Sequence, residues 1–89
     1  MPKLSIVISR QAQRFMDSLN PKTRSRIVSE LLDLENFPRL DHHDVAKLKG
    51  RGERYRLRVG DIRVIFKITE ETSTVYIDKI EYRGRVYKG

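Results

Sequence analysis

Arginines at 54, 56 and 58 alternate with Tyr55, Leu57 and Val59 in the stretch "ERYRLRVGDIRVIF", residues 53–66. After Gly60-Asp61, Arg63 returns between Ile62 and Val64. This is the two-residue period of a strand, which places all four guanidinium groups on one face if both flanks are extended. A guanidinium is permanently charged and presents a planar fork of donors that fits two phosphate oxygens. Several together suit gripping the phosphates of a polyanion backbone. They do not suit proton abstraction, because arginine keeps its proton. The other chemical candidates are weaker. "DHHD" at 41–44 has adjacent histidines, but neighbours in an extended loop point apart and no second cluster completes a coordination sphere. It reads as a solvated loop, and no metal site is expected. There is no glycine-rich phosphate loop, serine–histidine triad pattern or credible carboxylate pair, so no small-molecule cofactor is expected.

The overall charge points the same way. Nineteen Lys and Arg face twelve Asp and Glu, a net charge of +7 with a pI near 10.1. Residues 1–44 hold seven bases and six acids, and residues 45–89 hold twelve and six. The excess therefore sits in the second half, which suggests a polyanionic partner. Twelve of the nineteen cations are arginine, the better match to phosphate. The absence of cysteine excludes disulfides and thiolate metal sites. "LSIVIS" is too short for a membrane span or a signal-peptide core. A cytoplasmic protein without a membrane partner is expected, with residues 1–89 forming one domain.

The elements that must position the arginines follow from periodicity. A first strand is expected over 3–8, with Ser9 capping a helix whose apolar positions Ala12, Phe15, Met16 and Leu19 fall on one face. Asn20-Pro21 caps and starts a second helix to about residue 35, with Ile27, Val28, Leu31, Leu32 and Leu34 as its buried stripe and Phe37-Pro38 as its stop. So short a break makes the two helices an antiparallel hairpin. Strands are expected over 54–59, 62–68 and 73–80, and "VAKLKG" (45–50) is a short strand or an approach segment. The fold class is α+β, in the order β-α-α-β-β-β, with an antiparallel sheet packed on an N-terminal helical hairpin.

With Gly60 and Asp61 as the loop, Arg58 pairs with Arg63, Arg56 with Ile65, Arg54 with Lys67 and Tyr55 with Phe66. One face is then Tyr55, Leu57, Val59, Ile62, Val64 and Phe66, which is core. The other is Arg54, Arg56, Arg58, Arg63, Ile65 and Lys67, with no acid to balance it. Like charges opposite each other are mildly destabilising, so an external anion is expected to supply the missing charge. Tyr76, Tyr82 and Tyr87, near Arg83 and Arg85, add stacking candidates. For Tyr76 ordinary amphipathic packing is the simpler account.

The element order, "AKLKG" (46–50), "YRLRVGDIRVIF" (55–66) and "YRGRVY" (82–87) together resemble the RelE/ParE superfamily of toxin–antitoxin toxins, over nearly the whole chain. The resemblance, closest to the RelE-type mRNA interferases and archaeal-like, implies a ribosome-dependent endoribonuclease that inhibits translation. It would cut mRNA in the small-subunit decoding site by attack of the ribose 2′-OH on the adjacent phosphate. It implies catalytic roles for Arg56, Arg58, Arg63, Arg83 and Tyr87. In that scheme Arg58 and Arg63 grip the phosphate, Arg83 stabilises the leaving oxygen and Tyr87 stacks a base. RNA contacts would come from Lys47, Lys49, Arg54, Lys67, Arg85 and Tyr82. The partners implied are the ribosome, mRNA and a cognate antitoxin protein. Two departures stand out. Familiar members carry lysines where this chain has Arg56 and Arg58, and some carry a histidine where it has Tyr82. The alternatives are a ParE-like inhibitor of DNA gyrase without nuclease activity, and a non-catalytic basic module that binds nucleic acid.

Overall fold

The computed structural model describes residues 3–37, 39, 44–48 and 54–82. The elements are β1 (Ser5–Ile8), α1 (Arg10–Asp17), α2 (Pro21–Asp33), a 3-10 turn (Leu34–Asn36), β2 (Asp44–Lys47), β3 (Arg54–Val59), β4 (Ile62–Thr69) and β5 (Thr74–Tyr82). They form a five-stranded sheet in the order β1-β5-β4-β3-β2. The α+β class is as expected. The sheet, however, is mixed, since β2 to β5 pair antiparallel but β1 lies parallel to β5. The two helices carry the chain from β1 at one edge to β2 at the other, and a four-strand meander then returns to β1. No local pattern in β1 encodes that direction.

Both helix starts are capped as their residues dictate. Ser9 Oγ accepts from the Ala12 N–H at 3.1 Å and donates to the Asp78 carbonyl at 2.8 Å, tying α1 to β5. Asn20 Oδ1 accepts from the Thr23 N–H at 2.8 Å, with Pro21 opening α2. Arg24 then satisfies the end of α1, donating to the carbonyls of Met16 (3.0 Å) and Leu19 (2.9 Å). A cation at a helix C-terminus is also favoured by the helix dipole.

Gln11 has a different task. Beyond Ile77 the edge of β5 has no β1 partner, because β1 ends at Ile8. The Gln11 amide supplies one, donating to the Ile80 carbonyl at 2.9 Å and accepting from the Ile80 N–H at 3.0 Å.

The core lies between the helices and one sheet face. Ala12, Met16, Leu19, Ile27, Leu31 and Leu34 meet Leu57, Val59, Ile62, Val64, Phe66, Val75, Ile77 and Ile80. Phe37 closes one end, with its ring 5.0 Å from that of Tyr55 and 6.2 Å from that of Phe66. The expected stripe on α2 is narrower than its apolar content. Val28 and Leu32 are 39% and 52% exposed, so the buried apolar positions of α2 are Ile27 and Leu31, with Leu34 following in the 3-10 turn. Val28 and Leu32 instead line a shallow surface groove with Arg24, Ser25, Ser29 and Asp33.

Between Ile65 and Phe66 the β4–β5 register shifts: Ile65 pairs with Lys79 but Phe66 with Ile77, leaving Asp78 unpaired as a bulge. Ile77 and Ile80 are three residues apart, so a regular strand would send them to opposite faces. The bulge puts both in the core.

Candidate nucleic-acid interface

The hairpin register follows the expected pairing at each of its six rungs, from Val59–Ile62 to Arg54–Lys67. Gly60 has φ +57°, a backbone state glycine adopts without steric cost, and this closes the two-residue loop. Arg54, Arg56, Arg58, Arg63 and Lys67 therefore share the sheet face opposite the helices, and Lys79 joins them through its pairing with Ile65. Ile65 is buried although it belongs to this open face. Its register neighbours are Arg56 and Lys79, and long cationic side chains cover apolar surface while keeping their charge in water.

The expectation that this face lacks acids does not hold. Asp44 is the first residue of β2 and pairs in register with Arg58. Its Oδ1 lies 3.2 Å from Arg56 Nη2, and its Oδ2 lies 3.6 Å from Arg58 Nη1. From β5, Glu81 Oε2 accepts from Arg63 Nε at 3.0 Å and also pairs with Arg63 Nη2. The bulged Asp78 meets Arg54 Nη2 at 2.6 Å. The described open face thus carries six cations and three carboxylates, a net +3. These acids are invisible to local pattern because they come from strands distant in sequence. Asp44 closes a motif that reads as a loop, and neither Glu81 nor Asp78 has any local periodicity linking it to the arginines.

Burial differs among the guanidiniums. The Arg56 side chain is 17% exposed, against 38% for Arg58 and 39% for Arg63. The Nε–H groups of Arg56 and Arg58 are buried and make no hydrogen bond among the described residues. Lys67 holds its ammonium 5.3 Å from the centroid of the Tyr76 ring, a cation–π contact on the same face.

Two expected RNA contacts fall elsewhere. Lys47 pairs with Tyr55, so its place on edge strand β2 has the parity of the helix-covered face. Tyr82 pairs with Ile62, and its ring packs 5.0 Å from that of Phe15, also on the helix side. Strand alternation decides both cases: each is an odd number of residues from a position on the arginine face. Arg83, Arg85, Tyr87 and Lys49 lie outside the described residues, as do His42 and His43 of the "DHHD" motif. Among the described residues no group of His, Cys, Asp and Glu could hold a metal ion, and no helix is long and apolar enough to cross a membrane.

A family profile described as the ParE toxin of the type II toxin–antitoxin system parDE matches residues 6–87. A protein of Methanocaldococcus jannaschii named "Putative toxin RelE1" is 27% identical over 88 residues, covering 97% of each chain. The toxin chain in the archaeal RelE–RelB complex of Pyrococcus horikoshii OT3 superposes with a TM-score of 0.81 and 31% identity, over 93% of this chain and 98% of that one. The isolated Escherichia coli RelE toxin shares the fold, with a TM-score of 0.74 at 18% identity, over 96% and 92% of the two chains.

Proposed function

This chain belongs to the ParE toxin family of type II toxin–antitoxin systems, and on that premise we propose that it is a RelE-type endoribonuclease that cuts mRNA on the ribosome. The observation that carries this reading is the convergence of Arg56, Arg58 and Arg63 on one open sheet face, on adjacent strands in direct register. Attack of a ribose 2′-OH on the adjacent phosphate builds up charge on the phosphoryl oxygens, and preorganised guanidiniums stabilise that charge more than the ground state. Arg58 and Arg63 face each other across the hairpin and grip the phosphate, while the more buried Arg56 supports them. Arg83 and Tyr87 are assigned the leaving oxygen and the stacked base. Arg54 and Lys67 extend the backbone-binding track, and Lys49 and Arg85 are assigned further RNA contacts. Because arginine is a poor base, proton removal from the 2′-OH depends on the substrate and ribosome geometry. The 31% identity to the P. horikoshii RelE supports the RelE side of the superfamily, and its RelB complex supports a small antitoxin as partner.

The match to a ParE profile favours one other reading, inhibition of DNA gyrase without nuclease activity. A single experiment separates the two. Purified protein is mixed with programmed ribosomes and a defined mRNA, and cuts are mapped by primer extension beside Arg63→Ala and Arg83→Ala. Discrete cuts in the decoding site, lost in both variants, are expected. Intact mRNA with active ribosomes, together with inhibition of gyrase supercoiling, would replace the RelE reading with the ParE one.

A further inference from the structure

We propose that Asp44 and Glu81 are built-in competitors for the phosphodiester: they occupy the forks of Arg56, Arg58 and Arg63 and keep the face from binding isolated RNA strands. The inference rests on the arginine face being the RNA site.

The geometry is that of a carboxylate standing where a phosphate would. Asp44 spans two guanidiniums, one oxygen to Arg56 Nη2 at 3.2 Å and the other to Arg58 Nη1 at 3.6 Å. Two non-bridging phosphate oxygens placed over the same pair would meet the same two donors. Glu81 fills the fork of Arg63, taking both Nε and Nη2 on one oxygen. The guanidiniums assigned to the phosphate are therefore each engaged in the free protein by an acid from a flanking strand. They are engaged incompletely, since the Nε–H groups of Arg56 and Arg58 remain buried and make no hydrogen bond among the described residues. The Arg58 and Arg63 side chains remain 38% and 39% exposed, so an incoming anion can reach them and displace the internal pairs.

The consequence is selectivity. An incoming phosphodiester exchanges one anion for another and also meets repulsion from the displaced carboxylate. The half-exposed Asp44 makes individually weak pairs, roughly 0–1 kcal/mol, so its exchange for a phosphate is not blocked, while the part-buried Arg63–Glu81 pair gives way less readily. The exchange is made dependent on other contacts that hold the strand in place, as a large ribonucleoprotein surface does. A short free strand has few such contacts, whereas a face of bare arginines would bind any polyanion.

The test is direct binding of a fluorescent single-stranded RNA 12-mer, fully 2′-O-methylated so that it cannot be cut. Anisotropy is read at several salt concentrations for the wild type, Asp44→Asn, Glu81→Gln and Asp17→Asn. Asp17 lies at the end of α1, where its carboxylate accepts from Gln13, so its substitution controls for the rise in net charge alone. Asp44→Asn and Glu81→Gln are expected to bind about five- to tenfold more tightly than Asp17→Asn, from removing a like charge a few ångströms from a phosphate. Their plots of log affinity against log salt should steepen by about 0.7 for each further phosphate that the freed guanidiniums neutralise. Affinities equal to that of Asp17→Asn, or weaker, would overturn the proposal and make the carboxylates supports for the arginines. Should one variant fail to fold, the other gives the same reading, since the two acids lie on different strands. Ribosome-dependent cutting by the wild type is scored separately. Its absence counts against the nuclease reading, whereas the 12-mer comparison judges only the competition.

Discussion

Replacing Gln11 with methionine keeps the side-chain length and removes both hydrogen bonds that complete the edge of β5. The Ile80 N–H and carbonyl lose partners at 3.0 and 2.9 Å. A backbone group left without a partner costs about 1–3 kcal/mol when fully buried and less where water can reach it. Gln11 is exposed and Ile80 is fully buried, so the lower part of that range applies to each group, about 2 kcal/mol in total. For a domain of this size each kcal/mol lowers Tm by about 4–8 °C, which gives a fall of roughly 10 °C. Gln13→Met is the control. Gln13 makes only a surface bond to Asp17 one helical turn away, worth about 0.5 kcal/mol at most. Calorimetry supplies both Tm values, and amide exchange reports Ile80 itself, whose protection should drop in Gln11→Met alone. The loss should reach the candidate site, since Glu81 follows Ile80 and holds Arg63. A Tm within about 2 °C of the wild type, with Ile80 still protected, would refute the view that one glutamine stands in for the missing strand.

Three further outcomes are expected. Arg63→Ala should lower ribosome-dependent cutting by about a hundredfold or more, the typical loss for one charge-stabilising donor, while circular dichroism stays native; an undiminished rate would remove Arg63 from the site. Phe66→Ala should cost about 3–5 kcal/mol in denaturant titration, because the ring is fully buried, stacked on Tyr55 at 5.5 Å and edge-on to Phe37; a loss below about 1 kcal/mol would contradict that packing. In binding of the Asp44→Asn protein to the methylated 12-mer, adding Arg58→Ala should weaken affinity more than adding Lys47→Ala, because β2 carries Lys47 with the other face's parity; equal losses would mean that strand parity does not sort the contacts.

Much of this molecule is legible in short stretches of its sequence. The hairpin over 54–67, with every rung and both faces, follows from alternation and a Gly-Asp step, because strand period and a two-residue loop leave one register. Ser9 and Asn20 announce the helix starts for an equally local reason: each side chain bonds a backbone N–H three residues away. The breadth of the α2 stripe is not legible in the same way, because hydrophobic spacing shows which residues share a side and not how much of it a neighbour covers. Val28 and Leu32 are apolar and remain exposed.

By itself, then, the sequence determined what near neighbours along the chain decide: the two helices with their caps, the hairpin, and the gathering of Arg54, Arg56, Arg58 and Arg63 on one face. Only the tertiary structure decided what meets that face. The parallel docking of β1, the bulge at Asp78, the Gln11 clasp and the carboxylates of Asp44 and Glu81 all join residues brought together by sheet order. The physical reason is that charge pairing and edge completion act through space over a few ångströms, whereas periodicity reports only on residues a turn or a rung apart.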